Sequence, residues 1–209
     1  MNPSKILCIG RNYTRHAVEM SSVIPTVPLV FLKPPSALIN PGDEIVLPGV
    51  SSDVHHEVEL VVRIARQGKS ILREQAMSFV EGYAVGLDLT ARDIQAEAKK
   101  KGYPWSVAKG FDTFAPLGAF SPVSDIKNPH ALDISLSING NVRQSGNTRD
   151  MIFDIPFLIE YLSGIFTLMP GDLIYTGTPE GVGPVEDGDE LEAKISGLPV
   201  LNVRARRAG

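Results

Sequence analysis

Short apolar runs, separated by turn-forming residues, dominate the hydrophobic pattern of the 209-residue chain. Runs of this length, bounded by Gly, Pro, Asn and Asp, predict β-strands. The predicted strands cover residues 6–9, 29–32, 44–47, 57–65, 80–87, 132–138, 173–176 and 190–195. The stretch "LSINGNV" predicts a hairpin, because Asn139 and Gly140 both tolerate the positive φ angles of a type I′ turn.

Helical periodicity is confined to three places, about residues 73–79, 90–101 and 154–163. In the last of these, Asp154 and Pro156 suit the N-cap and the first turn of a helix. Residues 10–28 are polar and rich in turn formers, with only a short helical patch, so we expect a mobile segment there. The whole pattern predicts an α+β, mainly β fold with a few short helices, in one domain over residues 1–209.

Charge and cysteine content narrow the class of protein. The formal net charge is −4, whereas a nucleic-acid-binding protein would normally show a basic excess on one face. The only basic run, residues 99–101, is expected to be a solvated helix end. Cys8 is the sole cysteine, which rules out an internal disulfide and a cysteine-rich metal site.

No membrane association is expected either. The apolar stretch 155–169 is interrupted by Pro156, Glu160 and Gly164, so it does not predict a membrane span. The first residues lack the pattern of a signal peptide. The expected setting is therefore reducing and cytoplasmic.

Two glutamates stand close together in the run "HHEVELVV", residues 55–62. In a strand the side chains of Glu57 and Glu59 point to the same face, with Cα atoms roughly 6.5–7 Å apart, while His56 points to the opposite, apolar face. Two carboxylates at this spacing can converge on one hard divalent cation, Mg²⁺ or Mn²⁺. The alternative is an ordinary edge strand with solvated glutamates, and His56 is expected to be a hydrogen-bonded core histidine.

Further candidates lie elsewhere in the chain. Asp88 ends an apolar run just before a helix, a position well suited to a site. His16 and Glu19 are helix neighbours at i, i+3, so the carboxylate can orient the imidazole and raise its basicity; such pairs are also common on surfaces. Lys109 lies in an apolar and aromatic neighbourhood, which favours a pocket over solvent.

The strand and Gly-rich turn "LIYTGTPEGVGPV", residues 173–185, can aim backbone N–H groups at an anion. The turn lacks the Lys-Ser/Thr ending of a phosphate-binding loop, so it does not predict nucleotide binding. An anion the size of a carboxylate fits the pattern better.

Taken together, these stretches resemble the fumarylacetoacetate hydrolase family over nearly the whole chain. The matching stretches are "CIGRNYTRHAVEM" at 8–20, "VFLKPPSALI" at 30–39, "HHEVELVV" at 55–62, "GYAVGLDLTARDIQ" at 82–95, "KKKGYPWSVAKGFD" at 99–112, "GNTRDMIF" at 146–153 and "PGDLIYTGTPEGVGP" at 170–184. Within the family, the sequence resembles more specifically the short branch of acylpyruvases and oxaloacetate decarboxylases.

The resemblance implies a mixed β-sandwich or β-roll core, an N-terminal lid at about residues 11–28, and a homodimer with one Mg²⁺ or Mn²⁺ per subunit. By position, the implied metal ligands are Glu57, Glu59 and Asp88. The implied catalytic residues are His16 and Glu19 on the lid and Lys109 near the metal, and the implied substrate-binding residues are Arg92, Gln95 and Thr178.

The implied reaction is cleavage of the C3–C4 bond of an acylpyruvate to pyruvate and a carboxylic acid, decarboxylation of oxaloacetate, or both, through a metal-stabilised pyruvate enolate. The alternatives are an isomerase or decarboxylase of homoprotocatechuate-pathway diacids, an oxaloacetate tautomerase, and a non-catalytic dimer that binds keto acids. His16 and Glu19 favour hydrolysis, because isomerisation needs no activated water.

Overall fold

The computed structural model of the protein describes residues 3–19 and 24–208. Its strands are β1 (Ile6–Gly10), β2 (Leu29–Lys33), β3 (Leu38–Ile39), β4 (Glu44–Leu47), β5 (Val54–His56), β6 (Val58–Ile64), β7 (Val80–Leu87), β8 (Thr90–Ala91), β9 (Ala115–Pro116), β10 (Ser121–Pro122), β11 (Asp133–Ile138), β12 (Asn141–Asn147), β13 (Leu173–Tyr175), β14 (Gly183–Pro184), β15 (Glu190–Ile195) and β16 (Leu201–Arg207). The α-helices are α1 (Thr14–Glu19), α2 (Arg92–Lys101), α3 (Ser106–Lys109) and α4 (Ile155–Ile165). Short 3₁₀ helices cover Pro35–Ala37, Arg73–Phe79, Val123–Asp125 and Thr148–Asp150.

Two mixed sheets form the body of the fold. One has the strand order β10-β7-β6-β13-β1-β2 and the other the order β12-β11-β15-β16-β4. Strands β6 and β7 of the first sheet contact β11 and β15 of the second, and Leu60, Val85, Leu136 and Leu191 share one apolar core. Helix α4 adds its buried face to the same core. This architecture confirms the predicted α+β, mainly β fold.

The strand that carries Glu59 lies in the interior of its sheet. Strand β6 pairs with β13 on one side and β7 on the other. Leu60 and Val62 face the main core, while Val61 packs with Cys8 and Tyr175 in a second apolar cluster on the other face. The alternative of an edge strand with solvated glutamates is therefore wrong.

Several predicted elements differ in detail from the structure. The predicted strand 57–65 is divided, because β5 ends at His56 and β6 begins at Val58. The hairpin turn is as expected, with φ of 51° at Asn139 and 77° at Gly140. The segment Arg73–Phe79 is a 3₁₀ helix. Strand β16, an alternating segment near the end of the chain, was not predicted.

The predicted mobile segment falls partly outside the described residues, at positions 20–23. Within the described part, α1 covers Thr14–Glu19 and β2 begins at Leu29. Across all the described residues, 3–19 and 24–208, no helix is long and apolar enough to cross a membrane.

Candidate metal centre and active site

Three buried carboxylates meet where β6 and β7 run side by side. Glu57 lies between β5 and β6, Glu59 lies in β6, and Asp88 follows β7 directly. The antiparallel register places Glu59 opposite Gly86, and the Asp88 N–H donates to the Glu57 carbonyl at 2.9 Å. One oxygen from each carboxylate lies within 4.8 Å of the other two, a cluster that could hold a metal ion.

Two buried lysines compensate part of this negative charge. Lys109, at the end of α3, donates to Glu57 Oε2 at 2.8 Å and to Asp88 Oδ2 at 2.7 Å. Lys33, at the end of β2, lies 2.7 Å from Asp88 Oδ1 and donates to the carbonyls of Leu89 and Lys109 at 2.9 and 2.5 Å. Among the described residues, Asp88 Oδ1 makes this ion-pair contact and no hydrogen bond of good geometry.

Glu57 is held in its charged form by its cationic neighbours. Burial alone would raise the pKa of Glu57, but Lys109 and Arg92 outweigh burial and hold the pKa well below its usual range. Arg92 Nη2 donates to Glu57 Oε1 at 2.6 Å, and Arg92 Nη1 donates to Gln95 Oε1 at 2.9 Å. Glu57 therefore reaches the cluster as a carboxylate.

Glu59 lacks such compensation. It is 1% exposed and forms no ion pair among the described residues; the Gly177 N–H donates to its Oε2 at 2.7 Å. Burial, together with Asp88 and Glu57, raises the pKa of Glu59 well above its usual value. A buried carboxylate without a counter-ion is strongly unfavourable, and a divalent cation supplies the missing charge. The all-oxygen donor set fits Mg²⁺ or Mn²⁺.

His16 and Glu19 meet on α1. His16 Nδ1 lies 3.2 Å from Glu19 Oε2, and the Gly181 N–H donates to both carboxylate oxygens of Glu19 at 3.0 and 3.2 Å. The ring of His16 is buried at 5% exposure and lines the same pocket as Glu57 and Glu59. The pair is thus fixed to the rest of the fold, with His16 lining the pocket and Glu19 exposed behind it.

The structure brings the predicted site residues together in one pocket. Those lining it are His16, Glu57, Glu59, Arg92, Gln95, Lys109 and Thr178. Asp88 and Glu19 do not line the pocket themselves. Each contacts a residue that does, Asp88 through Lys109 and Glu19 through His16. The aromatic setting predicted for Lys109 is provided by Phe31, whose ring centroid is 4.7 Å from the Lys109 amine.

Gln144 links the glutamate strand to the loop that carries Thr178. Its fully buried amide donates to Thr178 Oγ1 at 2.8 Å and to the Pro179 carbonyl at 2.9 Å. Its carbonyl oxygen accepts from the Val58 N–H at 3.0 Å and contacts His56 Nδ1 at 3.0 Å. His56 is therefore a hydrogen-bonded core histidine, as expected.

The Gly-rich turn after β13 was expected to aim its N–H groups at a carboxylate-sized anionic ligand, and two of these groups have a different partner. Its N–H groups at Gly177 and Gly181 bind the carboxylates of Glu59 and Glu19, so these two groups serve the protein itself and not an anionic ligand. Gly177 has φ +98°, and a Cβ there would lie 2.6 Å from the Cβ of Asn12. Only glycine allows this close approach.

The basic run lies at the exposed end of α2, as expected. One of its lysines, Lys99, also lines the pocket, which was not predicted. Helical spacing carried the signal, because Arg92, Gln95 and Lys99 are three and four residues apart and share one face of α2. Arg11 and Trp105 also line the pocket and were not predicted.

Comparisons with known proteins identify the family to which this chain belongs. Residues 5–206 match the fumarylacetoacetate (FAA) hydrolase C-terminal family. The mitochondrial oxaloacetate tautomerase of Mus musculus is 47% identical over 97% of this chain and 92% of its own. Fumarylpyruvate hydrolase from Pseudomonas aeruginosa, solved with Mn²⁺ and pyruvate, superposes with a TM-score of 0.95 at 40% identity over 99% of this chain and 91% of its own.

A third relative is an isomerase. The 2-hydroxyhepta-2,4-diene-1,7-dioate isomerase of Mycobacterium marinum has a TM-score of 0.89 at 41% identity, covering 100% of this chain and 77% of that protein. Hydrolase, tautomerase and isomerase relatives thus share one fold with this chain. The chain belongs to the fumarylacetoacetate hydrolase family of enzymes.

Proposed function

We propose that the protein is a divalent-metal-dependent enzyme that cleaves the C3–C4 bond of an acylpyruvate, releasing pyruvate and a carboxylic acid. The observation that carries the proposal is the convergence of the three-carboxylate cluster, Lys109 and the His16–Glu19 pair on one pocket. The Pseudomonas relative, a fumarylpyruvate hydrolase seen with Mn²⁺ and pyruvate, supports the same substrate class.

Glu57, Glu59 and Asp88 would hold the ion, Mg²⁺ or Mn²⁺. When bound, the ion supplies Lewis-acid stabilisation of the negative charge that develops on the pyruvate moiety. Lys109 adds a second positive charge at the same place. Burial lowers the pKa of Lys109, but Asp88 and Glu57 outweigh burial and raise it above its usual value, so the amine stays protonated and can donate to a developing oxyanion.

His16 acts as the general base in this scheme. Its Nδ1 faces Glu19, which the Gly181 N–H holds in place, so the ring is oriented. The imidazole accepts a proton from water, and the oxygen of that water attacks the distal carbonyl carbon. The C3–C4 bond breaks, the distal carbonyl carbon leaves as the carboxylic acid, and the electron pair passes to the pyruvate moiety as its enolate. The proton held by His16 is then returned to C3, which gives pyruvate and regenerates the base.

Arg92, Gln95 and Thr178 bind the substrate. Each lines the pocket, and each is fixed by a side-chain hydrogen bond: Arg92 to Glu57, Gln95 to Arg92, and Thr178 to Gln144. We assign Thr178 to the substrate carboxylate.

A second candidate function is decarboxylation or keto–enol tautomerisation of oxaloacetate. It is favoured by the 47% identity to an enzyme named oxaloacetate tautomerase. Loss of CO₂ from oxaloacetate leaves the same enolate and needs no attacking water. The base His16 is therefore essential for acylpyruvate cleavage but not for decarboxylation.

The test is a coupled assay in which lactate dehydrogenase detects pyruvate formed from acetylpyruvate, fumarylpyruvate and oxaloacetate. We expect turnover that EDTA abolishes and Mg²⁺ or Mn²⁺ restores. His16→Ala should abolish acylpyruvate cleavage and spare most oxaloacetate decarboxylation. Absence of pyruvate from every substrate would refute both acylpyruvate cleavage and decarboxylation and would leave a tautomerase or a keto-acid-binding protein. Turnover unchanged by EDTA would refute the metal requirement.

A further inference from the structure

We propose that Gln144 is a positioning residue for the reaction: it holds Thr178 with its hydroxyl proton directed into the pocket, toward the substrate carboxylate. This inference rests on the proposed function, from which it takes the assignment of Thr178 to that carboxylate. It adds a residue that lies outside the pocket and acts only through another side chain. It also gives the direction of one hydrogen bond on which binding depends.

Hydrogen bonds to the backbone fix which end of the Gln144 amide faces each partner. The Val58 N–H can only donate, so the atom that it meets at 3.0 Å is the amide oxygen, Oε1. The Pro179 carbonyl can only accept, so the atom 2.9 Å from it is the amide nitrogen, Nε2. The amide therefore has one orientation, and Nε2 is the atom that contacts Thr178 Oγ1 at 2.8 Å.

This orientation determines where the Thr178 proton can go. A hydroxyl has one proton and two lone pairs, whereas an amide nitrogen only donates. Because Nε2 donates to Oγ1, the Thr178 proton cannot be directed at Gln144. Thr178 is 2% exposed, lines the pocket, and has no second side-chain hydrogen bond among the described residues. Its proton is thus left for an acceptor inside the pocket, which a carboxylate oxygen provides.

His56 completes the arrangement at the other end of the amide. Its Nδ1 lies 3.0 Å from the same Gln144 Oε1, which can only accept, so Nδ1 carries a proton. Oε1 therefore accepts two hydrogen bonds and Nε2 donates two, which uses every hydrogen-bonding position of the fully buried amide. Linked hydrogen bonds polarise one another in the protein interior, so Gln144 is both a rigid and a strong donor to Thr178.

A double-mutant cycle separates positioning from a purely structural role. Titration calorimetry measures pyruvate binding to the Mn²⁺-loaded protein in wild type, Gln144→Met, Thr178→Val and the double variant. Each single variant should weaken pyruvate binding by about tenfold or more, the effect of one hydrogen bond to a charged group. The double variant should bind no more weakly than Thr178→Val, because Gln144 acts through the hydroxyl. Thr178→Ser keeps the hydroxyl and should stay within about threefold of wild type.

Thr148 supplies the matched control. It directly follows β12, the strand of Gln144, and its buried hydroxyl donates to the Pro129 carbonyl and accepts from the Leu132 N–H. Thr148→Val removes these hydrogen bonds without touching the pocket, so it should lower Tm and leave pyruvate affinity unchanged. If Thr148→Val weakened pyruvate binding as much as Gln144→Met does, lost stability would explain both and the positioning role would be overturned.

Neutron diffraction from deuterium-exchanged wild-type crystals tests the geometry without any variant. We expect the Thr178 deuteron directed into the pocket and a Gln144 amide deuteron directed at Oγ1. A Thr178 deuteron between Oγ1 and Gln144, unchanged pyruvate affinity in Gln144→Met, additive losses in the double variant, or no pyruvate binding by wild type would each overturn the proposal. Coupling in the cycle with no pyruvate formed from any acylpyruvate or oxaloacetate would retain the positioning role and refute the reaction.

Discussion

Replacing Lys33 by methionine should destabilise the protein more than any loss of a surface lysine. The Lys33 side chain is fully buried, and its partner Asp88 is 2% exposed. Its amine also satisfies the carbonyls of Leu89 and Lys109. Methionine fills a similar volume but leaves Asp88 Oδ1 and both carbonyls without this donor.

The magnitude follows from the burial of the pair. Breaking a buried ion pair on one side costs about 3–5 kcal/mol. Asp88 keeps Lys109 at Oδ2, so the cost of Lys33→Met arises at Asp88 Oδ1 and at the two carbonyls that lose their donor. For a chain of this size, each kcal/mol lowers Tm by roughly 2–4 °C, so Lys33→Met should melt about 6–20 °C below wild type. The exposed pair of Lys194 with Glu192 gives the control, since Lys194→Met should cost less than about 1 kcal/mol.

Thermal unfolding followed by circular dichroism in EDTA measures both variants. The double variant Lys33→Met/Asp88→Asn identifies the cause, because neutralising Asp88 should recover part of the loss. A Tm for Lys33→Met within about 2 °C of wild type would refute the reasoning, as that corresponds to less than about 1 kcal/mol. Additive losses in the double variant would show that an unpaired charge is not the source.

Three further predictions concern the site. Glu59→Gln should lower Mn²⁺ affinity by about tenfold or more, which calorimetry measures. At neutral pH it should raise the Tm of the metal-free protein, because the raised pKa of Glu59 makes folding take up a proton there and glutamine does not; a lower metal-free Tm would contradict this. His16→Ala and Glu19→Gln should each lower kcat for acetylpyruvate by about 10²–10⁴-fold and leave Tm unchanged. If either variant lost oxaloacetate decarboxylation to the same extent, the role of His16 as the base that activates water would be contradicted. Gln144→Leu should reduce the free energy of unfolding in urea by about 2–4 kcal/mol, since four buried hydrogen bonds are lost; a change under about 1 kcal/mol would contradict the linking role.

Local periodicity was enough to predict part of the site. Strand alternation alone placed Glu57 and Glu59 together and His56 apart from them, and the structure agrees. The same reasoning could have found Lys99, because its spacing from Arg92 and Gln95 puts the three on one helix face. The composition of the lysine run correctly predicted that it is exposed, but it did not show that Lys99 also borders the pocket.

The remaining features depend on long-range pairing that no local pattern contains. Asp88 reaches Glu59 only because β7 pairs with β6 in one register. Lys33 reaches Asp88 from β2, at the far edge of the same sheet. Arg11 has a left-handed φ of 59°, and the adjacent Asn12 donates to the Phe153 carbonyl, a contact between distant parts of the chain.

The central claim is that Glu57, Glu59 and Asp88 together hold the ion at which a 2-oxo acid reacts. Anomalous diffraction from crystals grown with Mn²⁺ and pyruvate tests it most directly. We predict one strong Mn²⁺ peak bonded to an oxygen of each carboxylate, with pyruvate oxygens completing the coordination and Lys109 beside the ligand. A peak elsewhere, or no peak at saturating Mn²⁺, would contradict the account.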